Sequence, residues 1–271
     1  MNEVAQILIS NFIILMACMI VLWLISIPLR DVSFVDSFWA IGFLVVAGVT
    51  YQMTGGETDR RQLMLLITAI WSLRLGIFLF LRWRREGPDG RYVALLAKAP
   101  GNVHIHSLKK VFLLQGPMLW LVSLPVQLGQ IQAEPLQLGV LAWVGAGLAA
   151  IGIFFESVGD QQMANFKSDP ANHGKVMDRG LWRYTRHPNY FGDTCVWWGL
   201  YLIAAETSLG IWSIIGPALL TWTLIKWSGA ALLERRLKRS RPGYIEYLER
   251  TSSFIPWPPR TNASSGNGES S

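Results

Sequence analysis

Apolar residues fall in seven long runs along the chain, separated by shorter polar segments. A helix needs roughly 20 apolar residues to cross the hydrocarbon core of a bilayer, which is about 30 Å thick. The runs therefore predict seven membrane-spanning helices, over Ala5–Leu29, Phe34–Met53, Gln62–Trp83, Val111–Gln130, Leu136–Met163, Tyr190–Ala205 and Leu209–Leu233. We predict an all-α polytopic membrane protein in which residues 1–260 form a single seven-helix bundle domain. The polar tail, residues 261–271, is predicted to be disordered because it has little apolar surface to bury.

Composition and charge agree with this pattern and add an orientation. Hydrophobic residues make up 51% of the 271 residues and charged residues only 15%, which is typical of a membrane protein. We expect the first run to stay as a helix and not to be cleaved as a signal, because Glu3 stands where a basic region is required. Basic residues in short loops stay on the cytoplasmic side of a membrane. Most of them lie in four segments that this rule places inside, namely Arg30, 84–110, 167–186 and 235–260.

This topology puts the N-terminus outside and the C-terminus in the cytoplasm. It accounts for most of the net charge of +6, so no nucleic-acid partner is needed. The basic loops are expected to contact anionic membrane lipids. The sequence indicates no obligate protein partner, and in a bacterial host the protein would lie in the inner membrane.

Charged residues inside the apolar runs are the first candidates for function, because each is costly in lipid and normally faces a partner or a watery cavity. Seven residues meet this description: Asp36, Arg74, Glu156, Asp160, Asp193, Lys226 and Glu234. They predict a polar cavity that opens to the cytoplasm. The alternative is that Arg74 and Lys226 pair with carboxylates and only lock helices together.

The stretch RYTRHPNYFGD, from Arg183 to Asp193, begins the sixth predicted helix. Pro188 suits a first helical turn, where free N–H groups and the helix dipole favour an anion. Arg183, Arg186 and His187 add positive charge, so phosphate is the expected ligand. Asn189 and Asp193 share a helical face and could bind a ribose or a carboxamide. Alternatively, these basic residues only follow the positive-inside pattern.

A second basic cluster, RWRREGPDGRY, closes the third predicted helix, and its Arg91 could grip another phosphate. No metal site is predicted, because Cys18 and Cys195 lie in separate apolar runs and His104 with His106 form a lone pair. GAGLAAIG, residues 145–152, lacks the spacing of a dinucleotide-binding turn and predicts close packing of helices.

GLWRYTRHPNYFGD and ERRLKRSRPGYIEYLERTSSFIPWPP, which begin at Gly180 and Glu234, resemble the C-terminal domain of the steroid 5α-reductase family and its bacterial relatives. Looser similarity extends to DVSFVDSFW and WSLRLGIFLFLRWRREGPDGRY. The resemblance implies a seven-helix membrane reductase domain that holds NADPH in its cytoplasmic half and reduces a conjugated carbon–carbon double bond.

The resemblance also implies roles for individual residues. Asn189 stands near the nicotinamide end, and Asp193 stands where the family has a glutamate. Asp160 and Arg74 match the family's residues, whereas Lys167 and Lys226 replace arginines, and Glu156 and Glu234 replace asparagine and tyrosine. The expected cofactor-binding set is Arg74, Arg91, Glu156, Asp160, Lys167, Arg186, His187, Asn189, Tyr190, Asp193, Lys226 and Glu234.

The family's catalytic groups, a Gln–Glu pair and a tyrosine, correspond here to Val35, Asp36 and Trp71. Hydride delivered to the β-carbon of an enone leaves an enolate oxygen, which a positioned acid stabilises. Desolvation favours the neutral form of a carboxyl group, so Asp36 is the expected proton donor. Alternatively, Asp36 is a helix-locking partner of Arg74. Aromatic side chains would line the path of a flat apolar substrate that enters from the lipid, namely Trp39, Trp71, Trp197 and Trp198.

These expectations favour an NADPH-dependent reductase of an apolar enone, by resemblance a 3-oxo-Δ4-steroid, with its active site open to the cytoplasm. One alternative is a methyltransferase of the isoprenylcysteine or phospholipid type, which would bind S-adenosylmethionine at the same helix entry. Such enzymes commonly have a Glu-Glu pair where this chain has Glu234 and Arg235. Another alternative is a lipid-binding protein without catalytic activity.

Overall fold

The computed structural model of the protein describes residues 2–227 and 230–260. The described residues fold into helices and contain no β-strand, which confirms the all-α prediction. The predicted disorder of the tail concerns residues 261–271, which lie outside the described residues. Twelve α-helices are numbered in chain order: α1 Glu3–Leu29, α2 Val35–Met53, α3 Thr58–Glu86, α4 Gly90–Leu96, α5 Val103–Ser107, α6 Leu113–Val122, α7 Leu124–Leu128, α8 Val140–Ser168, α9 Pro188–Ala204, α10 Ile215–Trp222, α11 Ala230–Ser240 and α12 Tyr244–Arg250.

Four of these helices, α1, α2, α3 and α8, are long and apolar enough to cross a membrane. They correspond to the first, second, third and fifth predicted spans and begin or end within five residues of them. This is the architecture expected of an integral membrane protein. The count of seven spans and the orientation of the termini stay predictions.

The fourth and seventh predicted spans are interrupted. Leu108–Phe112 is a π-helical turn, and the helix that follows it stops at Ser123, where α7 begins with Pro125 in its first turn. Proline has no N–H to donate and clashes with the preceding turn, so it begins a new helix there. The seventh span divides similarly into a 3-10 turn, Gly210–Ile214, then α10 and a π-helical turn, Thr223–Trp227.

Within the range predicted as one domain, contacts cluster into two compact units. Unit 1 comprises the described residues of Met1–Gly147 and Trp197–Leu219, and unit 2 comprises those of Leu148–Val196 and Leu220–Ser271. Helices α8, α9 and α10 each contribute residues to both units. In unit 1, α2 and α3 form an antiparallel pair that packs along most of its length.

Polar side chains link the apolar helices of unit 1. The buried Asn11 amide of α1 donates to the Thr50 hydroxyl of α2 at 2.9 Å and to Oε1 of Gln127 in α7 at 3.1 Å. The Gln127 amide donates in turn to the Ser123 hydroxyl at 2.8 Å. Hydrogen bonds of this kind hold helices together where lipid removes the usual hydrophobic drive for association.

Arg60 anchors the loop that precedes α8. Its side chain is fully buried, and its guanidinium donates to the carbonyl oxygens of Gly129 and Pro135, each at 3.1 Å, and to that of Gln132. A cation that donates to three carbonyl groups fixes the path of the backbone around it. Arg60 therefore has a structural role in unit 1.

Candidate functional site

Helices α8 and α9 approach each other closely in unit 2. A Cβ atom added to Gly152 would lie 2.4 Å from the carbonyl oxygen of Gly192, and one added to Gly192 would lie 2.5 Å from the carbonyl oxygen of Gly152. Only glycine permits such an approach at both positions. The predicted role of the glycines at 145–152 in helix packing is thus confirmed at Gly152.

Four of the predicted site residues gather where these two helices meet. Glu156 and Asp160 project from α8, and Asn189 and Asp193 come from the start of α9. The three carboxylates are buried, with exposures of 2%, 7% and 8% for Glu156, Asp160 and Asp193. The Asn189 amide nitrogen lies 3.4 Å from Oδ1 of Asp160, and a Cβ added to Gly192 would lie 2.8 Å from Cγ of Glu156. We call these four residues the acidic cluster.

The arginine and histidine that immediately precede α9 bind a carboxylate of the chain itself. Nε of Arg186 donates to Oε1 of Glu234 at 2.8 Å, and Nε2 of the buried His187 lies 3.0 Å from the same oxygen. Burial would raise the pKa of the Glu234 carboxyl, but the hydrogen bonds from His187 and Arg186 outweigh it and hold the pKa below its usual value. The anion at this helix entry is therefore Glu234.

Arg186 also fastens the C-terminal segment. Its Nη1 donates to the carbonyl oxygens of Leu248 and Thr251, at 3.0 and 2.7 Å. The backbone N–H of Arg186 donates to the carbonyl oxygen of Ser252 at 2.9 Å, and the Thr185 hydroxyl donates to that of Phe254 at 2.8 Å. The predicted phosphate contact of Arg186 thus competes with three hydrogen bonds that its guanidinium already donates.

The remaining predicted residues of unit 2 are more peripheral. The ring of Tyr190 stacks on that of His187, with centroids 5.4 Å apart. Tyr190 therefore packs against the histidine that binds Glu234. Lys167 in α8 and Lys226 in the second π-helical turn are exposed. Lys226 was predicted inside a span. In the structure its side chain is exposed, in the π-helical turn that interrupts this span.

In unit 1, Asp36 accepts two hydrogen bonds. Nη2 of Arg91 donates to its Oδ2 at 2.8 Å, and the Tyr92 hydroxyl donates to its Oδ1 at 2.5 Å. Arg91 also binds Asp89, with its Nε 3.0 Å from Oδ1. Burial and the nearby Asp36 raise the pKa of the Tyr92 hydroxyl well above its ordinary value. These polar contacts and the 22% exposure of the Asp36 side chain differ from the desolvated environment that the prediction of a proton donor assumed.

Arg91 was predicted to grip a phosphate, but two carboxylates of unit 1 already neutralise it. Burial lowers the pKa of Arg91, but the hydrogen bonds that Arg91 donates to Asp89 and the charge of Asp36 reverse this and raise the pKa. The Tyr92 hydroxyl also accepts a hydrogen bond from the Gln115 amide at 2.9 Å. Sequence reasoning missed Tyr92 and Gln115. Tyr92 closes the quoted basic cluster, but nothing in the sequence pairs it with Asp36.

Trp71 lies in an aromatic cluster inside unit 1. Its ring centroid is 5.4 Å from that of Phe43 and 5.4 Å from that of Trp197, and Phe43 and Trp197 are 4.4 Å apart. All three side chains are fully buried, and Trp39 packs against Phe43 at 4.7 Å. The guanidinium of Arg74, also in α3, lies 5.5 Å from the ring of Phe78. These aromatic residues were predicted to line a substrate path, and that role stays a prediction.

The predicted residues therefore form separate groups within each unit. In unit 2 the structure brings together Glu156, Asp160 and Asn189, with Asp193 one turn after Asn189 in α9, and separately Arg186, His187, Tyr190 and Glu234. In unit 1 it brings Asp36 to Arg91 and places Trp71 among aromatic rings. Within residues 2–227 and 230–260, no three His, Cys, Asp or Glu side chains are arranged to hold a metal ion.

Comparison with known proteins identifies a family. Residues 22–251 match the model of a family described as "Protein of unknown function (DUF1295)". A protein of the fission yeast Schizosaccharomyces pombe, described as "Uncharacterized protein C594.04c", is 24% identical over 272 residues, which cover 87% of this chain and 76% of the yeast protein. No solved structure matches the chain.

The assignment to the steroid 5α-reductase family is therefore wrong. The family model that covers most of the chain is DUF1295, and the fission yeast relative carries no assigned activity. The motifs behind that assignment have a structural explanation in unit 2. Arg186 and His187 of the first quoted stretch bind Glu234, and Arg186 and Thr185 bind backbone carbonyls of the second.

Proposed function

This chain belongs to the DUF1295 family, and we propose that it is an integral membrane reductase that uses NADPH to reduce a conjugated double bond in an apolar carbonyl compound. The observation that carries the proposal is the acidic cluster of unit 2. Buried carboxylates and an amide on apolar helices are costly in a membrane protein and normally serve a ligand or a polar partner.

The cluster suits the nucleoside portions of a dinucleotide. Carboxylates such as Asp160 and Asp193 accept hydrogen bonds from ribose hydroxyls, and the Asn189 amide can both donate to and accept from a carboxamide. Lys167 lies seven residues after Asp160 in α8, so both project from the same face of the helix and Lys167 can contact a phosphate. Arg186 and His187 are not assigned to phosphate, because Glu234 already binds them.

Bound NADPH would supply a hydride, and the β-carbon of a conjugated carbonyl compound is the expected acceptor. The proposal includes the seven-span topology, with the N-terminus outside and the acidic cluster on the cytoplasmic side. Arg183 and Arg179, which precede α9, are basic and lie in the segment assigned to the cytoplasm.

A specific observation also favours a second candidate, a methyltransferase that uses S-adenosylmethionine. The cluster contains three buried carboxylates and one amide, which would attract the sulfonium and ammonium groups of that cofactor. The same carboxylates could bind its ribose. The two candidates therefore differ in the charge of the ligand that the cluster accepts.

Thermal stabilisation of the detergent-purified protein separates the candidates, because a ligand that binds the native state raises its melting temperature. NADPH, NADH and S-adenosylmethionine are compared on the native chain, on Asp193→Asn and on Glu249→Gln, a control at an exposed carboxylate of the same unit. We expect NADPH to stabilise the native chain and the control, and to stabilise Asp193→Asn less. Stabilisation by S-adenosylmethionine alone would replace the proposal with the second candidate. Stabilisation by none of the three would refute both.

A further inference from the structure

Trp197 carries a buried hydrogen-bond donor that no described residue satisfies. Its side chain is fully buried, and the described part of the chain offers its Nε1 no acceptor. An indole N–H can only donate, so rotation or a change of protonation cannot relieve it. A buried donor without an acceptor lowers stability, and such groups in folded proteins call for an explanation.

Other indoles in the protein show that the fold can satisfy this group. Nε1 of Trp120, also in unit 1, donates to the carbonyl oxygen of Leu8 at 2.9 Å, and Nε1 of Trp182 in unit 2 donates to that of Gly159 at 2.9 Å. Trp197 differs because its neighbours are the rings of Phe43 and Trp71, which have no acceptor to offer in the ring plane.

Two hydroxyl groups in the same unit share this property. Ser37 in α2 and Ser72 in α3 are buried, at 8% and 0% exposed, and neither Oγ has a hydrogen-bond partner among the described residues. Ser72 directly follows Trp71. It lies one turn before Gly76, whose added Cβ would be 3.3 Å from the carbonyl oxygen of Ser37. Both serines therefore lie where α2 and α3 pack together, on the helices that carry Phe43 and Trp71.

We propose that unit 1 binds an apolar carbonyl compound whose oxygen accepts a hydrogen bond from Nε1 of Trp197, with the hydroxyls of Ser72 and Ser37 as further donors. The buried donors call for an acceptor, and the rings around Trp197 favour a ligand whose remaining surface is apolar and flat. The inference deepens the proposed function, on which it rests for the substrate class, because it names the group of the substrate that is recognised.

The test compares two probes of similar shape, chalcone and 1,3-diphenylpropene, which has a methylene in place of the carbonyl group. Binding to the full chain in nanodiscs is measured by isothermal titration without NADPH, so the result is independent of the cofactor experiment. Trp197→Phe removes the N–H and keeps an aromatic ring. We expect it to weaken chalcone binding roughly fivefold to tenfold and to leave diphenylpropene binding unchanged.

Trp120→Phe is the matched control, because it removes an N–H that is already satisfied within unit 1. Both substitutions should lower the melting temperature, because each removes packed ring atoms, but Trp120→Phe should cause no selective loss of chalcone binding. Equal chalcone affinity in the native chain and Trp197→Phe, or no chalcone binding by the native chain, overturns the inference. If Trp197→Phe does not fold, Ser72→Ala replaces it, and unchanged chalcone affinity there also overturns the inference. If NADPH stabilises the protein but the chalcone results contradict the inference, the reductase proposal stands and its substrate site lies elsewhere.

Discussion

Replacing Arg186 tests whether the start of α9 is held by the chain itself. Arg186→Met keeps most of the apolar stem and removes the guanidinium. The native Arg186 side chain is 12% exposed and that of Glu234 is 18% exposed, so the ion pair between them is largely shielded from water. The substitution leaves the Glu234 carboxylate with His187 and deprives the carbonyl groups of Leu248 and Thr251 of their donor.

The expected cost follows from these contacts. Removing one partner of a buried ion pair typically costs about 3–5 kcal/mol, since the remaining charge stays buried. We expect a loss of this size in the free energy of unfolding, a substantial fraction of the roughly 5–15 kcal/mol that stabilises a typical domain. SDS titration in mixed micelles, followed by far-ultraviolet circular dichroism, measures it.

Arg183→Met is the matched control, because Arg183 belongs to the same basic stretch and is exposed. It should change the free energy of unfolding by less than about 0.5 kcal/mol. If Arg186→Met unfolds like the native chain but loses stabilisation by NADPH, the structural role is refuted and Arg186 is a phosphate ligand after all.

Three further predictions concern stability. Because the pKa of Glu234 is lower in the folded protein, its contribution to stability is present above its unfolded pKa of about 4.5 and is lost as the pH falls through the folded value. The native chain should therefore melt above Glu234→Gln by a constant margin from pH 7 to about 5, and by a shrinking margin below that. A margin in melting temperature that grows on acidification would contradict this role of Glu234. Arg60→Met should cost about 3–5 kcal/mol by the same SDS titration, because three carbonyl groups lose a buried cation, whereas the exposed Arg84→Met should be nearly neutral. Gly192→Ala should lower the melting temperature, because its methyl group would clash with the backbone of Gly152. Gly147→Ala should not, because the space around Gly147 is open. Equal melting temperatures of the two variants would show that α8 and α9 can move apart at little cost.

The long helices were predictable from the sequence because each apolar run continues without a proline before its last turn. The fourth predicted span also has the required hydropathy, but Pro125 restarts the helix within it, and a count of apolar residues does not register that effect. The two π-helical turns leave even less trace in a hydropathy profile. The sequence therefore predicts which segments are apolar better than it predicts which of them form one uninterrupted helix.

The residues of the candidate site were predictable by type and not by partner. Arg186 and His187 were recognised as anion-binding groups, but their anion is Glu234, which lies far along the chain on another helix. Asp36 was predicted to be a buried acid, whereas it is partly exposed and contacts Arg91 and Tyr92, which both lie in α4. Which charges meet depends on long-range packing, and one sequence alone does not encode that in any local pattern.

The backbone contact between Arg186 and Ser252 has a consequence for how the protein is made. A ribosome adds roughly 5–20 residues per second, so several seconds separate the emergence of these two residues. During that interval the start of α9 has been synthesised, but its hydrogen bonds to Thr251, Ser252 and Phe254 cannot form. This part of unit 2 is completed only as synthesis ends, so a chain released early at Arg250 would contain every numbered helix and still lack three residues that accept hydrogen bonds from the residues just before α9.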